Sequence, residues 1–258
     1  MQGQPRTTVV VGIGQLGSEF ARGLLRLGCA VYPVTRTQSV AEIAEAAGLP
    51  ELVLVAVGEA ALGPLLESVP ARFRGRVGLV QNELVPRDWK RAGIEDPSGI
   101  VVWFEKKAGR AVHEVRPSVV YGPKRALLLE LLGELGVSAY SVSSRDLEFE
   151  LALKNLYILV HNLAGLNFSG PVGELWQGRA DWALSVADDV FAHQEALLGH
   201  PLDRSLALEK LAEAVRADPG HACAGRSAPE RLKRVLSQAR ELGLRLPTLE
   251  SLGEPSDA

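Results

Sequence analysis

The hydrophobic positions in the first half of the chain alternate between short continuous runs and segments with helical spacing. Apolar or β-branched runs at 8–11, 30–34, 52–57 and 77–80 predict strands. The segments between them carry apolar residues three or four positions apart and predict helices. The run at 52–57 is apolar throughout, which is typical of a strand covered on both faces. Alternation at this spacing predicts βαβ units and a parallel sheet.

The pattern changes twice further along the chain. Strand-like runs at 100–104 and 111–119 flank a polar turn and predict a hairpin, and a helix and a last short strand follow it. After residue 143 the strand-like runs stop, and helical segments follow. We therefore predict an α/β fold, with an N-terminal parallel-sheet domain over residues 1–143 and an all-helical C-terminal domain over residues 144–258.

A glycine-rich turn joins the first predicted strand to the first predicted helix. In the spacing Gly-x-Gly-x-x-Gly, it consists of Gly12, Ile13, Gly14, Gln15, Leu16 and Gly17. Between a strand and a helix this spacing is typical of dinucleotide-binding folds. The first glycine allows the tight turn, the second lets the backbone approach a pyrophosphate, and the third lets the helix pack on the sheet. Free N–H groups and the helix dipole at the start of the helix favour an anion such as a pyrophosphate. We therefore predict that the N-terminal domain is Rossmann-type and that these six residues bind the cofactor.

The end of the second predicted strand indicates which dinucleotide is bound. NAD-binding folds usually carry Asp or Glu there for the ribose 2′-hydroxyl, whereas this chain has Arg36, 19 residues after Gly17. A guanidinium suits a 2′-phosphate, and Thr35 and Thr37 place hydroxyl groups beside it. We expect NADP(H) as the cofactor; the alternative is that Arg36 is a solvated surface residue.

A mostly apolar predicted helix in the second half carries a few polar side chains. Lys154 and His161 lie seven residues apart and share a face, and Asn155 and Asn162 share a neighbouring face. A lysine on a helix packed on most sides needs a partner or a wet cleft. Two interpretations are open: a surface ion pair with Glu150, four residues earlier, or an ammonium in an active-site cleft that can donate a proton.

Composition narrows the classes of function. The 258 residues carry a formal net charge of −3, which argues against a nucleic-acid partner. The apolar runs fall short of the ~20 residues of a membrane span, and the N-terminal residues lack a signal-peptide pattern. Cys29 and Cys223 cannot form a disulfide framework, and His221-x-Cys223 lacks a recognised zinc spacing. We expect a cytoplasmic protein without a membrane partner or a metal site.

Taken together, these motifs resemble the ketopantoate reductase (2-dehydropantoate 2-reductase) family over nearly the whole chain. The glycine turn and Arg36 match in spacing. Asn82 resembles the Asn of the family's strand-end His-Asn-Gly, which helps to place nicotinamide and substrate. Lys154 matches the catalytic Lys, and Asn162 lies eight residues after it, as a family Asn does.

The resemblance implies an activity and roles for these residues. The family reduces a 2-keto acid, ketopantoate, to pantoate with NADPH, on the pathway to pantothenate and coenzyme A. By resemblance, Lys154 is the proton donor, Asn82 contacts cofactor and substrate, Asn162 binds the substrate, and Glu230 is a catalytic residue that binds the substrate hydroxyl. The substrate would bind between the two halves of the chain, and the family is consistent with a homodimer.

Departures from the family pattern leave other functions open. Ile158 replaces the family Asn four residues after the Lys, and the family's Ser-Ser-Met segment has no equivalent. Glu230 lies one residue later than the family Glu, where it also fits a capping box with Ser227. The alternatives are reduction of another 2-keto acid and NADP(H) binding without turnover.

Overall fold

The computed structural model describes residues 6–106, 109, 112–223, 225 and 227–253. The chain divides into two compact units, Met1–Glu150 and Leu151–Ala258, and the division falls inside one long helix. Part of the predicted hairpin turn, at residues 107, 108, 110 and 111, lies outside the described residues.

Strands occur in the first unit. Within the described residues they are β1 (Thr7–Val11), β2 (Ala30–Val34), β3 (Leu52–Val55), β4 (Val77–Leu79), β5 (Ser98–Val101), β6 (Phe104–Glu105), β7 (His113–Glu114), β8 (Ser118–Tyr121) and β9 (Ala139–Ser141). Seven strands form one sheet in the order β2-β1-β3-β4-β5-β8-β9, and β6 pairs with β7. The chain order reverses between β1 and β3, which is where open α/β sheets bind ligands.

Helices surround the sheet and make up the second unit. The first unit contains α1 (Gln15–Arg26), α2 (Val40–Ala46), α3 (Glu59–Ser68), α4 (Ala71–Arg74), α5 (Pro86–Lys90) and α6 (Arg125–Glu134). Helix α7 (Ser144–Ala164) contains the division, and the second unit continues with α8 (Val172–Gly178), α9 (Ala180–Leu198), α10 (Arg204–Ala217), α11 (Ala228–Glu241) and α12 (Pro247–Leu252). The predicted fold class, a Rossmann-type sheet followed by helices, is confirmed.

The sequence pattern does not predict four of these helices, α4, α5, α8 and α12. Each is four to seven residues long, and two turns or fewer are too few to show a 3.6-residue period. The proline at the start of α5 and of α12 is a local signal for a helix start.

Among the described helices, none is long and apolar enough to cross a lipid bilayer.

Parallel pairing places β1 inside the sheet, next to the edge strand β2. It pairs with β2 on one side and β3 on the other, and all of β3 is buried, which explains the continuous apolar run in the sequence. One apolar cluster joins these strands to α1 and α6 through Phe20, Leu24 and Leu131. This packing holds the start of α1 against the carboxyl ends of β1 and β3.

Helix α1 approaches the turn that precedes it very closely. A Cβ built on Gly17 would overlap the carbonyl oxygen of Gly12. Gly12 has a φ of +90°, and a Cβ there would lie 2.8 Å from the carbonyl oxygen of Ala56, which follows β3. Gly12 therefore allows the tight turn and Gly17 the close packing of the helix, as the motif predicts.

In the second unit α7 is buried over most of its surface. From residue 151 to 164 its side chains are buried, apart from Lys154 and Ile158, which are half-buried. Helix α8 is held to the segment after α10 by backbone hydrogen bonds, from Val172 to His221 and from Gly173 to Pro219.

We expect Gly17→Ala to lower the free energy of unfolding by about 2 kcal/mol or more, because the backbone of α1 or of the turn must move. The matched control is Gly133→Ala on the exposed face of α6, where a built Cβ meets no described atom within 4 Å. That control should gain about 0.5–1 kcal/mol from helix propensity. Urea unfolding of both variants measures the difference, and equal effects would contradict the close approach.

Candidate active site

The glycine turn presents an open backbone where α1 begins. Gly14 is the N-cap of α1 without a side-chain hydrogen bond there, and a built Cβ on it meets no described atom within 4 Å. Ile13 and Gln15 are exposed with it, whereas Leu16 is half-buried against the apolar cluster. The first N–H groups of a helix lack intrahelical partners and its dipole attracts negative charge, so the turn fits a pyrophosphate.

Arg36 lies at the same edge of the sheet. The N–H of Gly12 donates a hydrogen bond to the carbonyl of Val34 at 2.9 Å, which brings the end of β2 against the glycine turn. Arg36 follows two residues later and is exposed. The hydroxyls of Thr35 and Thr37 lie 3.5 Å apart beside it. A guanidinium and hydroxyl groups are the donor set that a ribose 2′-phosphate requires, so these residues fit NADP(H).

Asn82 follows β4 at the same edge, next to Gln81. Nδ2 of Asn82 donates to Oε1 of Glu59, at the start of α3, at 3.4 Å. The buried amide of Gln81 donates to the carbonyl of Val55 at 2.8 Å and accepts from the N–H of Val80 at 3.1 Å. Gln81 thus ties the ends of β3 and β4 together. The amino-acid sequence gives no signal for this role, because a polar residue after a strand is also typical of an ordinary turn.

The residue after Asn82 has a left-handed backbone conformation. Glu83 has a φ of 61°, which costs a residue other than glycine about 1 kcal/mol or more. The turn therefore requires the conformation that glycine adopts without strain, and the family motif that Asn82 resembles has Gly at this place. Backbone strain of this kind is common beside ligand-binding residues.

In the second unit Lys154 is half-buried on α7 and lies over an aromatic ring. Its Nζ is 5.5 Å from the centroid of Tyr157, within the range of a cation–π interaction. The carboxylate of Glu150, the partner in the ion-pair interpretation, accepts a hydrogen bond from Tyr140 at 3.0 Å and lies 3.8 Å from Arg116.

His161 is a buried, neutral histidine. The indole N–H of Trp176 donates to its Nε2 at 2.9 Å. Because an indole N–H can only donate, Nε2 is unprotonated and the ring proton is on Nδ1. Burial and, to a smaller extent, the nearby His221 lower the pKa of His161 to about 3. The shared face with Lys154 predicted a polar stripe, but His161 is a packing residue whose ring meets the ring of Tyr157 edge-on at 4.7 Å.

The two asparagines of the same helix bind protein groups. Oδ1 of Asn162 accepts a hydrogen bond from Arg231 of α11 at 2.5 Å, and its Nδ2 donates to the carbonyl of Cys223 at 3.3 Å. Asn155 donates to Oε1 of Gln194 on α9 at 2.9 Å. These bonds brace α7 against its neighbours. Contact of Asn162 with a substrate stays a prediction.

Glu230 lies on the exposed first turn of α11. It accepts a hydrogen bond from the ammonium of Lys233 at 2.9 Å, and this bond lowers the pKa of Glu230. The capping-box interpretation is wrong, because Ser227 makes no side-chain cap bond within the described residues. Its backbone is already in the helical region, at φ −91° and ψ −1°, and not in the extended conformation of a cap. The catalytic role of Glu230 stays a prediction.

Comparison with known proteins identifies the fold. No family model and no curated protein matches the chain. Among solved structures, the 2-dehydropantoate 2-reductase of Geobacter metallireducens GS-15 is similar, with 17% identity and a TM-score of 0.66 over 95% of this chain and 97% of that one. The 2-dehydropantoate 2-reductase of Porphyromonas gingivalis W83 has 17% identity and a TM-score of 0.65 over 97% and 98%. The chain has the fold of the ketopantoate reductases.

A D-mandelate dehydrogenase in complex with NADH has the same fold. It has 14% identity and a TM-score of 0.66 over 95% of this chain and 96% of that one. The resemblance to ketopantoate reductases predicted from the motifs is thus confirmed at the level of the fold.

Because His161 is buried in its neutral form, we expect the free energy of unfolding to depend on pH. The folded pKa of about 3 lies below the unfolded value of about 6.5, so the neutral form is favoured on folding. The stability that the neutral ring contributes is complete above pH ~6.5. It is lost as the pH falls toward 3, by about 1.4 kcal/mol per pH unit. We expect His161→Gln, which keeps an acceptor for Trp176 and does not titrate, to show a shallower loss of stability below pH ~6.5.

Urea unfolding between pH ~4.5 and 7 measures these slopes. The matched control is His200→Gln, because His200 is exposed in the same unit. That control should follow the wild-type curve. Parallel curves for wild type and His161→Gln would mean that His161 is not held neutral by burial.

Proposed function

We propose that this protein is an NADP(H)-dependent oxidoreductase that reduces a 2-keto acid to a 2-hydroxy acid, with ketopantoate as substrate and pantoate as product in pantothenate and coenzyme A biosynthesis. The observation that carries the proposal is the glycine turn at the reversal of strand order, open at Gly14 and with Arg36 at the same edge. The fold, shared with 2-dehydropantoate 2-reductases and with a D-mandelate dehydrogenase that binds NADH, supports it.

The proposal assigns cofactor binding to the N-terminal domain, residues 1–143. The glycine turn and the start of α1 would hold the pyrophosphate. Arg36 would bind the 2′-phosphate, and Asn82 would orient the nicotinamide end and the substrate. When bound, the reduced nicotinamide supplies the hydride for the keto carbon.

The C-terminal domain, residues 144–258, supplies the proton and the substrate contacts in this proposal. Lys154 donates a proton to the keto oxygen and stabilises the negative charge that develops there. Asn162 orients the substrate, and the carboxylate of Glu230 accepts a hydrogen bond from the new hydroxyl. We also assign dimerisation to this domain, with a homodimer in the cytoplasm as the working state.

A second candidate is reduction of a different 2-keto acid. Two of the residues proposed for ketopantoate are held by protein groups, Asn162 by Arg231 and Glu230 by Lys233. Ile158 adds an apolar, half-buried side chain one turn after Lys154. These features favour a 2-keto acid with an apolar substituent.

The direct test is the oxidation of NADPH by the purified protein with ketopantoate, pyruvate, 2-ketoisovalerate and phenylglyoxylate. A kcat/KM of ~10⁴ M⁻¹s⁻¹ or more on ketopantoate establishes the first function, since this is the ordinary range for an enzyme. The same efficiency on one of the other three acids, without turnover of ketopantoate, establishes the second. NADPH binding without turnover on any of these acids refutes both and leaves cofactor binding without catalysis.

We expect Lys154→Met to lower kcat by about 100-fold or more and to leave the Kd of NADPH unchanged, because the variant keeps the apolar stem and loses the proton donor. The matched control is Lys210→Met on α10, where the ammonium pairs with Glu213 on the surface. Steady-state kinetics and fluorescence titration with NADPH measure the two effects. Full turnover by Lys154→Met would remove this lysine from the mechanism.

We expect Arg36→Ala to raise the Kd of NADPH by about 10- to 100-fold and to change that of NADH little, because a charged hydrogen bond to the 2′-phosphate is lost. Arg125→Ala is the control. Arg125 is also exposed but follows β8, which is antiparallel to β5 and therefore ends at the opposite edge of the sheet. Calorimetric titrations with both nucleotides measure the ratio. Equal losses for NADPH and NADH would show that Arg36 does not bind the 2′-phosphate.

A further inference from the structure

The buried ring of Tyr157 lies against the ammonium of Lys154 in the second unit. The ammonium nitrogen of Lys154 lies over this ring, 5.5 Å from the ring centroid. Tyr157 is 4% exposed, so its ring is almost completely removed from water. A cation over an aromatic face is held more strongly when water is excluded from the ring.

The ring of Tyr157 is fixed by a set of aromatic neighbours. His161, one turn further along α7, meets it edge-on, with centroids 4.7 Å apart and planes at 81°. The hydrogen bond from Trp176 of α8 holds His161 in turn. The ring of His221 lies 6.1 Å from that of Tyr157, and Nδ1 of His221 is 3.6 Å from the carboxylate of Asp218. The rotation of Tyr157 is therefore restricted directly by His161 and His221, and α8 holds His161 in place.

The residues around Lys154 on α7 show why a contact with an aromatic ring is important for restraining its ammonium. The residue one full turn after Lys154 is Ile158, whose side chain cannot form a hydrogen bond with an ammonium. A lysine side chain has four rotatable bonds, and a proton donor that acts at one atom must lose most of that freedom. A fixed aromatic face supplies such a restraint.

We infer that Tyr157 is a positioning residue that holds the ammonium of Lys154 in place through the face of its ring, with His161 and Trp176 fixing the ring. This inference rests on the proposed function in so far as Lys154 is the proton donor. The contact acts through the ring and not through the phenolic hydroxyl, so phenylalanine should replace tyrosine and leucine should not.

The contact itself is tested without turnover. We would label the full chain with [13Cε]lysine and record the proton shifts of the seven lysines by NMR, assigning Lys154 by its loss in Lys154→Met. Because protons above a ring face are shielded, the Lys154 signal should lie upfield of the other lysines. It should stay there in Tyr157→Phe and return to the common position in Tyr157→Leu. An unshifted Lys154 signal in the wild type overturns the inference.

The positioning role is tested by kinetics on whichever 2-keto acid is reduced. We expect Tyr157→Phe to keep kcat within about twofold and Tyr157→Leu to lose about 10-fold in kcat with an unchanged KM for NADPH. Incorporation of 3,4,5-trifluorophenylalanine at position 157 keeps the ring shape and weakens its negative face. It should lower kcat relative to Tyr157→Phe, and this comparison remains decisive if the leucine variant folds poorly. Equal kcat for the two ring variants overturns the inference.

The Lys154→Met background separates the two hypotheses. There, Tyr157→Leu and Tyr157→Phe should have the same residual kcat, because the group that the ring positions is gone. A remaining difference between them means that Tyr157 acts on the fold and not through Lys154, which overturns the positioning role. A shielded Lys154 signal in a protein that reduces no 2-keto acid refutes the proposed function and leaves the ring contact established.

Discussion

The close approach of α1 to the turn before it is the contact on which the proposed cofactor site depends. Gly17 lies so near the carbonyl of Gly12 that a side chain at Gly17 would move the helix or the turn. Gly12 in turn contacts the backbone after β3 at Ala56. The same packing therefore joins β1 to β3 where the strand order reverses. It also places the free N–H groups at the start of α1 beside the open backbone of Gly14. The local fold and the proposed cofactor site therefore depend on the same contacts between backbone segments.

In the second unit, the main constraint is the burial of polar side chains on the apolar helix α7. Such groups are costly unless they form hydrogen bonds. A chain of hydrogen bonds connects α7, α9 and α11 through Asn155, Gln194, His193 and Gln238. Because each amide and imidazole needs a partner of the right type at the right distance, the chain specifies how the three helices pack. Polar residues that suggest a reactive surface thus serve mainly to fix the scaffold around Lys154.

The parts of the site that could be predicted from the sequence are those with a local signature. The glycine turn has a fixed spacing between a strand and a helix, and Lys154 is conspicuous in an apolar segment. Gln81 and Trp176 could not be found in this way, because the carbonyl and the imidazole that they bind belong to β3 and α7. Short helices such as α8 were missed for a related reason, since less than two turns leaves no period to detect.

The amino-acid sequence by itself determined the alternation of strands and helices, the change to helices after residue 143, and the place of the glycine turn. These features depend on conformational preferences and periodicity among neighbouring residues. Only the tertiary structure decided which polar side chains are held by protein groups. Asn162 is held by Arg231, 69 residues later, and His161 is neutral because packing removes it from water. Burial and hydrogen bonding depend on groups far apart in the chain, and folding alone brings these together.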